Sequence, residues 1–462
     1  MANRRTIRFT FVAILVLIGL VVGTLWQNRP TGWSGERQLT QGVGDYRLVD
    51  LATDPEGDAL HLVWENTRDN ATEIYYKHSP DGGVTWGPDI RLGSLTAGAE
   101  PEPRIVTNGE KVLVFFSNWT STGEHIFFVS GADVGTNFSP PQQLTNDVGD
   151  QSNVAVTFVG SPINLVYQDY LNGDERVFYL KSLDAGLSWQ RKIALTDTSG
   201  AEDRYLAIAA LQNKVFVTWC RLYQRREAIY VRASLDSGTS WRPEIQVSEY
   251  GPPSYEDFPD IATNGTQLHI VWTRQGIRYA RSSDFGSTWS GPISLTNSTR
   301  EYLAPRLAVA NSKVQVVAAA ILTLATLPRN TVDSELYYLN SEDGGQTWTK
   351  PYSLTSHKFG AWSLAPVIRS LHDATYIAWE DNRNGRLAVF FLSKPDFAVL
   401  NRFEWQLFIS VTITLAITTI TYLMLESRTL RTNHRRVRRP SRSRRNKGVK
   451  KHTRPIRRYA KI

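Results

Sequence analysis

An eight-residue pattern, S-x-D-x-G-x-[ST]-W, recurs five times along this chain at intervals near fifty residues. A chain that repeats one turn so strictly stacks equivalent supersecondary units side by side. The copies run from Ser79 to Trp86, Ser182 to Trp189, Ser234 to Trp241, Ser282 to Trp289 and Ser341 to Trp348. A degenerate sixth keeps Asp133, Gly135 and Phe138, so the aromatic position falls at 86, 138, 189, 241, 289 and 348.

Each copy sits between strand-like segments, such as Glu73-Ile74-Tyr75-Tyr76-Lys77 before and Ile90-Arg91-Leu92 after, so the motif joins two antiparallel strands. Its chemistry suits a turn. The carboxylate accepts backbone N–H groups, glycine takes positive φ, and Ser or Thr adds a local hydrogen bond. A copy supplies one carboxylate, whereas calcium takes about six or more oxygens, so a structural turn is expected and no metal or other cofactor.

A strand, tight turn, strand signature precedes each box, as in Phe258 to Gly265 followed by Leu268 to Trp272. It recurs around Leu62, Val112, Ile163, Val215, Val314 and Tyr376, giving seven copies against six boxes. An outer-strand signature, typically an apolar residue then Leu-Thr, also occurs seven times, at Leu39, Leu95, Leu144, Leu195, Val247, Leu295 and Leu354. The first stands ahead of any complete unit and the last unit, from about Ala365 to Pro395, lacks its own. The expected fold is therefore all-β: a propeller of seven blades, with six the alternative, closed by the strand at Glu36 to Thr40. Closure hides the sheet edges that would otherwise template aggregation.

The formal charge of +8 conceals a partition: residues 1–8 hold three arginines, and residues 426–462 hold sixteen basic groups against one glutamate, leaving net −10 between them. Nucleic-acid binding is thereby confined to the tail, where little besides Tyr459 is available for base stacking. The single cysteine, Cys220, lies in an apolar run and reads as a small buried hydrophobe; no disulfide framework exists.

Phe9 to Trp26 is uncharged and preceded by Arg4, Arg5 and Arg8, which fits a signal anchor or a cleavable signal peptide; the lack of a clean small-residue cleavage site favours the anchor. Leu407 to Leu425 is a second uncharged run, followed by the arginine-rich tail. The positive-inside tendency places both termini in the cytoplasm. The expected organisation is a basic N-terminus (1–8), a transmembrane anchor (9–26), an extracellular propeller (27–402), a transmembrane helix (403–425) and a disordered basic tail (426–462) lying on anionic lipid. Sequons at Asn70, Asn118, Asn137, Asn264 and Asn297 permit that placement.

The boxes resemble the Asp-box, or BNR, repeats of sialidases and of many secreted bacterial and archaeal propellers, over nearly all of residues 36–396. Tyr46-Arg47-Leu48-Val49 stands where sialidases have F/Y-R-I-P, with valine for the proline, and Glu65, Arg68 and Asp69 follow. In that family an arginine triad clamps the substrate carboxylate, an aspartate is the acid, and a tyrosine helped by a glutamate attacks the sugar. Lining up the first strands gives one column of Arg47, Arg104, Asn153, Arg204, Pro259, Arg306 and Val367. The resemblance then implies a clamp from Arg47, Arg104, Arg204 and Arg306, with Asp69 as acid and Tyr302 as nucleophile. Glu380 and Arg383 repeat Glu65 and Arg68 in register. The wider consensus, with P-x-I-A strands and W-x-[DE]-N-R-x-G turns, looks more like BNR-like propellers of unproven activity. The leading expectation is accordingly a binding or scaffold module for glycans or a protein partner, and sialidase-type hydrolysis is the alternative.

Overall fold

In a computed structural model the described residues are 32–394, apart from 43, 56–57, 69–70, 96–100, 133–134, 136, 172, 198–199, 250–256, 298–299, 323–332, 357–359 and 372–373. Both apolar terminal segments and the basic tail lie outside them. Among the described residues no helix is long and apolar enough to cross a membrane.

The described chain is all-β and built from antiparallel meanders, the first running Asp45–Thr53, Leu60–Arg68, Ala71–Ser79 and Ile90–Ser94. Six hydrogen-bonded sheets result among the described residues, because one parallel pairing, Glu175 with Glu202, merges two consecutive meanders into a sheet of eight strands. First strands touch in a closed order. Asp45–Thr53 meets Arg104–Thr107, followed by Asp150–Phe158, Ala201–Leu211, Asp257–Thr263, Glu301–Ala310 and Ser363–Leu371, and the last meets Asp45–Thr53 again.

Second strands are apolar on both faces because each sheet is covered on both sides; Ala374–Asp381 is buried at every position. At one register an aromatic of the second strand lies over an aromatic of the third. Trp64 stacks on Tyr75 with centroids 6.0 Å apart, Trp219 on Tyr230 at 6.0 Å, and Phe116 on Phe127 at 6.1 Å. The box aromatic bridges to the preceding meander, as Trp241 meets Tyr179 edge-on at 5.0 Å and Trp348 meets Tyr279 at 4.9 Å.

The box itself folds as its residues dictate. Asp236 Oδ1 accepts the Ser240 N–H at 2.8 Å and Oδ2 the Ser240 hydroxyl at 2.6 Å, while Ser234 Oγ accepts the Gly238 N–H at 2.8 Å. Asp184, Asp236 and Asp284 are held at about 2, chiefly by the hydroxyls of Ser188, Ser240 and Thr288.

The outer Leu-Thr signature also has a mechanism. The Thr or Ser hydroxyl accepts an N–H from the third strand in each described case: Thr145 from Ile126, Thr196 from Val177, Ser248 from Ile229, Thr296 from Ile277 and Thr355 from Leu336, all at 2.9–3.0 Å. Thr40 does the same for Val389 at 2.9 Å, so the N-terminal segment takes the outer place of the last meander. Arg37 and Gln38 pair with Phe391 and Phe390. Arg383 locks the junction through a bidentate contact to Asp381, with Nε at 2.9 Å and Nη2 at 2.6 Å, and an ion pair to Glu36.

Candidate functional site

Strand direction divides the ring into two rims. Hairpins between first and second strands and the Asp-box turns share one rim, since Leu60 pairs with both Thr53 and Ser79. The start of each first strand and the end of each second strand form the other rim. Ser34 and Ser393 leave side by side at the box rim, where the Ser34 N–H donates to the Ser393 carbonyl at 2.7 Å.

Near the other rim every first strand bends. A non-glycine residue occupies the left-handed region at Leu48, Glu102, Asn153, Tyr205, Phe258, Ala304 and Ala365, with φ between 41° and 56°. Ladder registers break at the same place, as between Arg47 and Asp50 or Arg204 and Ala207. Each such residue costs about 1 kcal/mol or more, and a bulge re-aims its neighbours.

Aligned on the bend, the expected arginine column comes apart. The residues just before it are Arg47, Pro101, Ser152, Arg204, Asp257, Leu303 and Leu364; those two places after it are Asp50, Arg104, Ala155, Ala207, Asp260, Arg306 and Val367. Arg47 and Arg204 thus stand at the mouth, and Arg104 and Arg306 one level deeper. A single clamp of all four is not formed.

At the mouth, where the last meander meets the first, the Arg47 guanidinium is about half exposed, with side-chain accessibility 52%, and pairs with Asp45 at 3.4 Å. Its strand partner is Glu65, which is buried. The Leu48 N–H, turned by the bend, donates to Glu380 Oε1 at 2.6 Å. Burial raises the Glu380 carboxyl to about 7; the Leu48 N–H and Arg47 pull it down, and nearby Glu65 pushes it up. Two carboxyls, one poised to hold a proton near neutrality, therefore flank an accessible guanidinium. Such an arrangement can hold an anion and exchange a proton beside it.

Farther round the mouth, Arg204 is engaged. Its Nη2 lies 2.5 Å from Glu227 and 3.8 Å from Asp257. Ligand atoms of Cys220, Glu227 and Asp257 lie within 4.8 Å of one another, a grouping the sequence spacing did not reveal. A guanidinium already held by the carboxylates opposes a cation there. The rings of Tyr205 and Phe258, both at bend positions, sit 4.4 Å apart beside it.

Tyr302 does not reach the channel. It is 3% exposed in the core between sheets, edge-on to Tyr337 at 6.0 Å, and burial raises its phenol. Asp69 lies outside the described residues, as does the Arg68 side chain. Asp203, beside Arg204 on the same strand, is held in a buried bidentate pair with Arg221 at 2.6 and 3.1 Å. Cys220 is buried, as its apolar surroundings imply.

No protein-family model matches the sequence, and no curated protein does. Among solved structures, the chain is similar to an ulvan lyase of a polysaccharide lyase family bound to -[GlcA(1-4)Rha3S]-, with TM-score 0.54 and 11% identity over 77% of this chain and 95% of the lyase. Trypanosoma rangeli sialidase matches with TM-score 0.44 and 16% identity, over 76% of this chain and 54% of that one. A Penicillium chrysogenum α-L-arabinanase matches with TM-score 0.39 and 14% identity over 51% and 79%. At 11% identity the likeness to the lyase is one of fold alone.

Proposed function

We propose that this chain is a membrane-anchored, extracytoplasmic propeller of seven blades that binds an acidic carbohydrate at the channel mouth opposite its Asp-box turns. One observation carries the reading: the half-exposed Arg47 guanidinium beside the buried Glu65 and Glu380 carboxyls. A planar guanidinium at the mouth of a body that is otherwise net acidic selects a carboxylate or sulfate by geometry, not by bulk attraction. The glycan-acting neighbours in fold support a saccharide over a protein partner.

Anchoring rests on the two uncharged runs at 9–26 and 407–425 and on the basic residues flanking them. Each basic residue of the tail near anionic lipid adds about 1 kcal/mol.

The test is an array of acidic and neutral oligosaccharides probed with the purified full-length chain, wild type and Arg47→Ala. Binding of acidic members that is lost in the variant supports the reading; binding of none, or of neutral members equally, refutes it. Glu380 specifically favours a second reading, turnover of the bound sugar, since a carboxyl near 7 can act as general acid or base. Release of sugar by the wild type but not by Glu380→Gln would establish it over simple binding.

A further inference from the structure

One level below the mouth five charged groups from different strands come near one another: Asp50, Arg104, Asp260, Arg306 and Arg369. The carboxylates are already bonded. Asp50 Oδ1 accepts the Leu51 N–H at 2.9 Å and Arg369 Nη2 at 2.8 Å, and its Oδ2 accepts the Ile105 N–H of the next first strand at 3.0 Å. Asp260 repeats the device: Oδ1 accepts the Ile261 N–H at 3.1 Å and Oδ2 the Leu307 N–H of the next strand at 2.7 Å. Each aspartate staples its strand to the following one, and in both cases that following strand carries an arginine at the equivalent position, Arg104 or Arg306.

The arginines are less well served. Arg104 donates to the Pro103 carbonyl at 3.2 Å and lies 3.7 Å from Glu102. Arg369 has Asp50 and the Ile368 carbonyl at 2.9 Å. Arg306 makes no hydrogen bond or ion pair among the described residues, although it is partly buried and feels the charges of Asp260, Arg104, Asp50 and Arg369. Burial and the neighbouring arginines weaken its hold on its proton. With Glu102 beside Arg104, three carboxylates stand against three guanidiniums, but none of them is bonded to Arg306, which brings five N–H donors. A partly buried guanidinium without protein acceptors offers its fork to an anion.

We propose that this cluster is a binding site for one small tetrahedral oxyanion, taken up by Arg306 with Arg104 and Arg369 around it. It is separate from the mouth and stands without the carbohydrate reading. The ion can come free from solution or as a sulfate ester on a saccharide chain reaching down the channel.

The test uses the full-length chain in detergent, titrated calorimetrically with sodium sulfate in a background of sodium chloride at constant ionic strength. Saturable sulfate binding is expected, with affinity reduced at least tenfold in Arg306→Met and unchanged in Arg191→Ala, an exposed residue just beyond an Asp-box turn. Arg306→Met removes an unpaired charge and keeps the aliphatic stem, so it should fold; Arg104→Gln, expected to weaken binding less, is the second variant. Thermal unfolding is the parallel readout. Sulfate's general effect on burial acts alike on both proteins, so only the difference between wild type and Arg306→Met counts. No saturable binding, equal binding by Arg306→Met, or an equal loss in Arg191→Ala overturns the proposal. Sulfated oligosaccharide distinguishes the sources: competition with free sulfate that Arg306→Met abolishes assigns the site to an ester, and sulfate binding without competition assigns it to the free ion.

Discussion

Replacing Glu380 by glutamine tests the electrostatics of the mouth without disturbing its shape. In the unfolded chain this carboxyl has its ordinary value of 4.5, and in the fold it stands at about 7. Below pH 4.5 it is protonated in both states, so folding is unaffected. Between the two values the unfolded chain releases the proton and the folded one keeps it, so the unfolded state gains with rising pH. Above 7 the folded protein carries a buried carboxylate, a penalty of about 3 kcal/mol. Glutamine removes that penalty and retains an oxygen to accept the Leu48 N–H. Glu380→Gln should therefore match the wild type at pH 4 and exceed its stability by about 3 kcal/mol at pH 8, measured by urea unfolding at several pH values. A variant no more stable than wild type at pH 8, or a difference independent of pH, would refute the reasoning.

Ring closure makes its own prediction. Thr40→Val leaves the buried Val389 N–H without its acceptor and should cost about 1–3 kcal/mol in denaturant unfolding; no loss would mean the N-terminal strand does not close the ring. Gly238→Ala should destabilise by about 1 kcal/mol or more, because φ there is 77° and the added methyl meets the Tyr179 hydroxyl; an unchanged midpoint would contradict that packing. The box aspartates, lowered from 3.8 to about 2, contribute stability that is present above pH 4 and lost as pH falls through 2. An Asp236→Asn variant should lose less than the wild type over that range, and an identical acid transition in both would tell against it.

The sequence spoke most clearly where one residue type does one job. A box needs its Ser, Asp and Gly for the turn itself, and the outer threonine needs only a neighbouring N–H, so each motif survives as a fixed spacing and even Thr40 announced its role 349 residues from its partner. The site was harder to read. A bend of one residue in each first strand shifts which side chain faces the channel, and no residue type marks it: leucine, glutamate, asparagine, tyrosine, phenylalanine and alanine all occupy it. That is why Arg47, Arg104, Arg204 and Arg306 read as one column and separate into two levels. The proline of Pro-Asp-Ile, Pro-Arg-Ile and Pro-Arg-Leu, one place after the bend, was the usable signal. Glu65 and Glu380 looked like the same consensus position in two repeats. They are also neighbours in space, because the first and last repeats meet when the ring closes.

Capture of an acidic sugar at the mouth is proposed to depend on Arg47. Its most direct measurement is the affinity of the full-length protein, wild type and Arg47→Ala, for an acidic oligosaccharide selected from the array and for its carboxyl-reduced form. A charge-assisted contact predicts a loss of at least tenfold, about 1.4 kcal/mol or more, on removing either the guanidinium or the carboxylate, with little further loss when both are removed. Equal affinity of the variant for the acidic sugar, or equal affinity of the wild type for the acidic and reduced forms, would contradict it.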